Sequence, residues 1–139
     1  MQIKSLEEQD VFNGYSECLK EIGVFFISRV EVLRYVESQL KTGNKIFCAI
    51  ENKSIVGTIT INIYTQKELK KGYITNLGVV KKFRGYGIAS NLIEHVYNYA
   101  KENSCVEISL NCESDMISFY EKFGFNISGT CMRRKINVW

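Results

Sequence analysis

A chain of 139 residues, 45% hydrophobic and 24% charged, has the size of one compact domain with a real core, so a single domain over residues 1–139 is expected. Its 18 Lys and Arg against 15 Asp and Glu leave a net charge of +3 spread along the chain, which argues against a nucleic-acid partner. Five widely spaced cysteines with one histidine suggest neither a disulfide framework nor a metal site, and a start without a signal-peptide apolar segment, in a chain with no run near the ~20 apolar residues of a membrane span, points to a reducing, cytoplasmic setting with no membrane partner.

In chain order, Ser5-Leu6-Glu7-Glu8 has the form of a capping box and predicts a helix to about Ile22. Ser28-Arg29-Val30-Glu31 predicts a second, with Val32, Leu33, Val36 and Leu40 on one face and a stop near Gly43. Residues 46–50 and 55–63 are β-rich runs joined by Glu51-Asn52-Lys53-Ser54, an antiparallel hairpin. A polar stretch, residues 64–71, separates them from a third run at 72–80. From Gly85 to about Lys101, Ile88, Leu92, Ile93, Val96 and Ala100 recur at helical spacing, and Asn103 can close that helix. Residues 106–110 alternate as a half-buried strand, 114–123 read as a short helix ended by Gly124, and 125–138 as a last strand. The order is two helices, three strands, then helix, strand, helix, strand: a mixed α+β class, with helices on the faces of a sheet. The absence of Pro, of a Ser/Gly-rich linker and of repeats leaves no mark of a domain boundary.

Between the third β-rich run and the long helix stands Arg84-Gly85-Tyr86-Gly87-Ile88-Ala89. A helix start there offers free backbone N–H groups and the positive end of the helix dipole, which suit a pyrophosphate. Gly85 and Gly87 permit close backbone approach, Ala89 is small, and Arg84 adds a charge-assisted donor. The run is not the dinucleotide fingerprint, because Ser90 stands where a glycine would be needed, and it lacks the Gly-Lys-Ser/Thr of a P-loop. By itself it fits a structural turn as well as a phosphate site.

With R-x-x-G-x-A between strand and helix, followed some thirty residues later by Phe119-Tyr120-Glu121-Lys122-Phe123-Gly124-Phe125, essentially the whole chain resembles the GNAT acetyltransferase superfamily. Within it, Cys105-Val106-Glu107-Ile108-Ser109-Leu110-Asn111-Cys112, the Phe119–Phe125 run and Cys131-Met132-Arg133-Arg134-Lys135 are most similar to the glucosamine 6-phosphate N-acetyltransferases. The resemblance implies a central mixed, mostly antiparallel sheet with splayed central strands, acetyl-CoA as cosubstrate without a metal, and a homodimer in the amino-sugar route to UDP-N-acetylglucosamine.

It also implies roles. The backbone of Leu77, Gly78 and Val79 would pair with the pantetheine arm as an added strand would, and Arg84, Gly85, Tyr86, Gly87, Ile88 and Ala89 would hold the pyrophosphate. Tyr120 would stabilise or protonate the leaving thiolate in a direct attack by the amine. Acidic residues of the sugar-phosphate family usually stand where this chain has Thr75, Asn76 and Asn111. Asn111 can hydrogen-bond the amine or a sugar hydroxyl but cannot hold an ammonium by charge; Glu107, on the same strand, and Glu113 are substitutes or solvated surface charges. Arg134 and Lys135 match a region that contributes a phosphate contact across a dimer interface, although a basic cluster on a last strand also protects a sheet edge. His95 reads as structural, and Cys105 and Cys112 as small buried residues rather than acyl carriers. Three functions are open: acetylation of glucosamine 6-phosphate; acetylation of another amine, such as a protein N-terminus or lysine, a polyamine or an aminoglycoside; or a CoA-binding module without activity.

Overall fold

A computed structural model describes residues 1–136. Its frame is a five-stranded sheet in sequence order: β1 (Gln2–Ser5), β2 (Asn44–Glu51), β3 (Ser54–Gln66), β4 (Leu69–Val79) and β5 (Glu107–Ser109). The first four strands are antiparallel neighbours, and β5 runs parallel to β4. The helices are α1 (Ser16–Lys20), α2 (Arg29–Lys41), α3 (Ile88–Glu102) and α4 (Ile117–Glu121). Each hairpin turn places two residues at positive φ: Asn52 and Lys53 between β2 and β3, Lys67 and Glu68 between β3 and β4. That geometry matches the natural strand twist, and it lets the strands run through the stretch at 64–71 that polarity alone marks as a gap.

The sheet is covered on both faces, as an α+β fold requires. On one face Ile88, Leu92, Ile93, Val96 and Ala100 of α3 bury against Phe47, Ile59, Ile61, Ile74 and Val79, with Phe119, Tyr120 and Phe123 packed at the margin. Each large apolar side chain so buried contributes about 1.5–3 kcal/mol. On the other face Val11, Tyr15, Cys18, Leu19, Val32 and Val36 cover Ile46, Cys48 and Ile55. His95 sits edge-on to Phe47, centroids 4.6 Å apart, in a structural place.

The ends of the chain differ from the sequence expectation. Residues 5–22 do not form one helix. Gln2–Ser5 pair with Phe47–Ile50, and the N–H of Leu6 bonds the Ile46 carbonyl at 2.9 Å, so tertiary pairing overrides the Ser5 cap. The cap is formed two residues later, where the Glu7 N–H donates to Asp10 Oδ2 at 3.2 Å. The helix that follows is broken at Asn13 and Gly14; Gly14 has φ 105°, and a Cβ there would lie 2.3 Å from the Ile55 carbonyl oxygen. Ser28, by contrast, caps α2 as read, its Oγ accepting the Glu31 N–H at 3.2 Å, although Leu40 is exposed.

The last expected strand, 125–138, is not formed over 125–136, and its remaining residues lie outside the described ones. Ile127, Met132 and Ile136 are exposed there. A β-prone run becomes a strand only against a partner, and no ladder is made to this one among the described residues. Nor are the two flanking cysteines buried: Cys105 is half-buried and Cys112 exposed. Among the described residues no helix is long and apolar enough to cross a membrane.

Candidate active site

The site begins with an irregularity in β4. Thr75 stands opposite Thr60, but Gly78 stands opposite Thr58, so β4 carries one more residue than β3 across this interval. The extra residue is accommodated by Asn76, at φ 54°, a left-handed conformation that Asn tolerates better than most side chains. Its amide nitrogen donates to the Tyr35 hydroxyl of α2 at 2.5 Å. Bulges re-aim a strand, and here pairing with β5 is short: it covers Lys71, Gly72 and Tyr73 against Glu107, Ile108 and Ser109, then stops. From Ile74 onward β4 has no ladder on that side.

The strands thus part like a V, and a cleft of about 190 Å³ opens between them, lined by Ile22, Ile74, Thr75, Asn76, Leu77, Leu110, Asn111 and Tyr120. Tyr120 comes from α4, where its ring packs edge-on against Phe119 at 5.0 Å and Phe125 at 5.9 Å. Burial, and secondarily the nearby Cys112 thiol, push its phenol above the ordinary 10.0, which keeps it a proton donor at neutral pH.

Below the open end of β4 the chain makes a 3₁₀ turn, Lys81–Phe83, and then the glycine-rich loop. Gly87, at φ 79°, is the N-cap of α3 and has no side chain to satisfy the helix's first N–H groups. A Cβ built on Gly85 or Gly87 meets nothing within 4 Å, so the backbone at this helix start faces open space. A strand edge without a partner, running toward a bare helix N-terminus, can take an extended ligand that ends in an anion. The residues present therefore fit a pantetheine arm and its pyrophosphate.

The expected site residues fall into four groups. Tyr120, Asn111 and Leu77 line the cleft. Gly78 is pressed under α1, Val79 and Ile88 are core, Ala89 packs against that core, and Tyr86 is exposed; what these offer a ligand is backbone. The Arg84 guanidinium is already engaged, Nη2 with Glu21 at 2.8 Å and Nε with the Val79 carbonyl at 3.2 Å. Arg134 and Lys135 are exposed and do not line the cleft. Neither proposed carboxylate reaches it: Glu107 lies at the paired end of β5, bonded to Lys71 at 2.9 Å, and Glu113 is exposed. Sequence reasoning missed Ile22 as a wall of the cleft and Glu21 as the partner of Arg84. Asn76 had a faint signal, a turn-favouring residue inside a β-rich run.

The profile of the acetyltransferase (GNAT) family matches residues 8–125. The chain belongs to this family. GNAT acetyltransferases move an acetyl group from acetyl-CoA to an amine, and this chain has their fold and that chemistry. Among curated relatives of this GNAT chain, the glucosamine 6-phosphate N-acetyltransferase of Trypanosoma brucei brucei is 26% identical over 139 residues, covering 96% of this chain and 94% of its own. An N-alpha-acetyltransferase of Arabidopsis thaliana, MAK3, is 33% identical over 82 residues, and the match covers 57% of this chain and only 43% of that protein. The crystal structure of glucosamine-6-phosphate N-acetyltransferase from Arabidopsis thaliana superposes with a TM-score of 0.87 over 98% of each chain at 24% identity. A predicted acetyltransferase from Clostridium acetobutylicum, solved with acetyl-CoA, has a TM-score of 0.75 at 25% identity over 96% of this chain and 95% of its own.

Proposed function

We propose that the chain acetylates the amine of glucosamine 6-phosphate with acetyl-CoA, as one catalytic domain, residues 1–139, of a cytoplasmic homodimer. The observation that carries the transfer is the gap between β4 and β5, which brings Tyr120 and Asn111 to one cleft at the end of an unpaired strand edge. The acceptor is supported by the relative from Trypanosoma, similar along nearly the full length of both chains.

The pantetheine arm pairs with the backbone of Leu77–Val79, and the N–H groups of Ile88 and Ala89 meet the pyrophosphate. The amine nitrogen bonds to the carbonyl carbon, the carbon–sulfur bond breaks, and the thiolate takes its proton from the Tyr120 hydroxyl. Among the described residues no carboxylate lines the cleft. The amine therefore gives up its own proton to water, water returns a proton to Tyr120, and Asn111 accepts a hydrogen bond from the nitrogen through its side-chain oxygen. Arg134 and Lys135 serve the sugar phosphate of the partner subunit. Purified protein should release CoA with glucosamine 6-phosphate and much less with glucosamine; equal rates would remove the phosphate role of Arg134 and Lys135.

A second reading, a peptide N-terminus as acceptor, is favoured by the same uncharged cleft and by the segment beside it. In the segment between Ile22, which lines the cleft, and α2, Phe25 and Ile27 are 71% and 92% exposed, apolar side chains that suit the first residues of a peptide. A faster reaction with short apolar peptides than with glucosamine 6-phosphate selects it.

A further inference from the structure

We propose that Glu21 is a positioning residue for the donor, a clamp that holds the loop carrying the anion cradle. Its carboxylate is engaged twice. One oxygen accepts Arg84 Nη2 at 2.8 Å, and the other accepts the backbone N–H of Lys81 at 3.3 Å. Both partners lie in the segment joining β4 to α3, one on each side of Phe83. Arg84 in turn donates from Nε to the Val79 carbonyl at 3.2 Å, so one guanidinium ties the end of β4 to the turn after α1.

The loop needs such a tie. After Arg84 come two glycines at positive φ whose surroundings are empty, and glycine has the most backbone freedom to lose when a ligand orders it. Two of the guanidinium's N–H bonds are already made, which leaves most of the anion binding to the N–H groups of α3. Glu21 then contributes order in the loop before the anion arrives, and affinity gained by preorganisation needs no contact with the ligand.

The anchor end is firm. α1 sits directly on β4, where a Cβ on Gly78 would come within 2.5 Å of the Cys18 carbonyl oxygen. The next residue, Ile22, lines the acceptor cleft. A single turn after α1 thus supports the donor's cradle on one side and a wall of the acceptor cleft on the other.

The inference rests on reading the glycine loop as an acetyl-CoA site, and calorimetric titration with CoA separates the two. Wild type should bind CoA. Glu21→Gln keeps size but loses the charge, and should weaken binding about fivefold, the scale of a partly exposed ion pair, with KM for acetyl-CoA raised alike and kcat within about twofold. Because Glu21 acts largely through Arg84, the double variant Glu21→Gln/Arg84→Met should lose less than the sum of the two single losses. Unchanged or tighter binding by Glu21→Gln, as expected if the carboxylate merely repels the anion, overturns the proposal, and so do additive losses. Should Glu21→Gln unfold, Glu21→Asp, which keeps the charge but shortens the reach, must show the same split between KM and kcat. A wild type that binds no CoA overturns the cofactor reading instead.

Discussion

Among the described residues Tyr120 is the one titratable side chain that lines the cleft, and a conservative replacement there tests its proposed role in the chemistry. Tyr120→Phe removes the proton donor but keeps the ring that packs on Phe119 and Phe125, so kcat should fall about 100-fold, the lower range for a positioned acid, while KM for both substrates moves little; steady-state thiol release checks this. The pH profile follows from the raised phenol. The protonated form persists past its ordinary 10.0, so the rate should climb as the acceptor amine loses its proton, reach a plateau, and decline only in strongly alkaline buffer. A decline near neutrality would point to another acid. At this scale the sequence was informative about placement where the signal is local: Gly85 and Gly87 before α3, and Tyr120 in the Phe119–Phe125 run, which lines the cleft. It was silent on Glu21 and Arg84, 63 residues apart, because an ion pair between distant segments leaves no local pattern.

Among the elements, α2 shows local and tertiary signals in agreement. Ser28 accepts the Glu31 N–H, and the Glu31 carboxylate accepts the Ile27 N–H at 2.6 Å, closing the first turn from both sides. Ser28→Ala should cost about 1 kcal/mol, read as a lowered urea midpoint with the slope unchanged. α2 also carries Tyr35, so the same variant should raise KM for the amine if the bond from Asn76 to Tyr35 steadies the cleft. At the N-terminus the signals disagree. A good capping pattern at Ser5 loses to five hydrogen-bonding residues that find an edge at β2, and the helix expected beyond it is cut by Gly14, whose close approach to Ile55 is visible only once the sheet is assembled. Strands 46–50 and 55–63 were legible as continuous β-rich runs bounded by turn residues, buried on both faces, and the long helix because it buries one periodic face. β5 shrank to three residues because the alternation of 106–110 outlasts its pairing with β4.

For the molecule as a whole, the core under α1 and α2 makes stability depend on pH. On the α1 and α2 side, burial pushes the thiols of Cys18 and Cys48 from 9.0 up to about 12, and burial raises the Tyr15 phenol as well. Unfolded thiols ionise near 9.0 while the folded ones hold their protons. Stability from these groups is therefore complete below pH 9.0 and is lost as the pH rises toward 12, with a slope of at most about 1.4 kcal/mol per unit per thiol. Melting temperatures from pH 7 to 11 should fall steeply above about 9, the ordinary thiol range, and the fall should be shallower in Cys48→Ala. The class was readable from the alternation of runs, whereas the gap between β4 and β5 was not: it depends on one surplus residue near Asn76, and only the resemblance implied splayed strands. That surplus also resets a parity. Side chains on a strand alternate sides with period two, so Ile74, before the bulge, and Val79, beyond it, share the α3 core although one number is even and the other odd. Deleting Asn76 would restore an unbroken alternation with Val79 still in that core and Gly78 still under Cys18, so what it would remove is the bulge itself. In this strand the facing of the residues up to the cradle survives the loss of residue 76, and the surplus length is spent on the bend beside β5 alone.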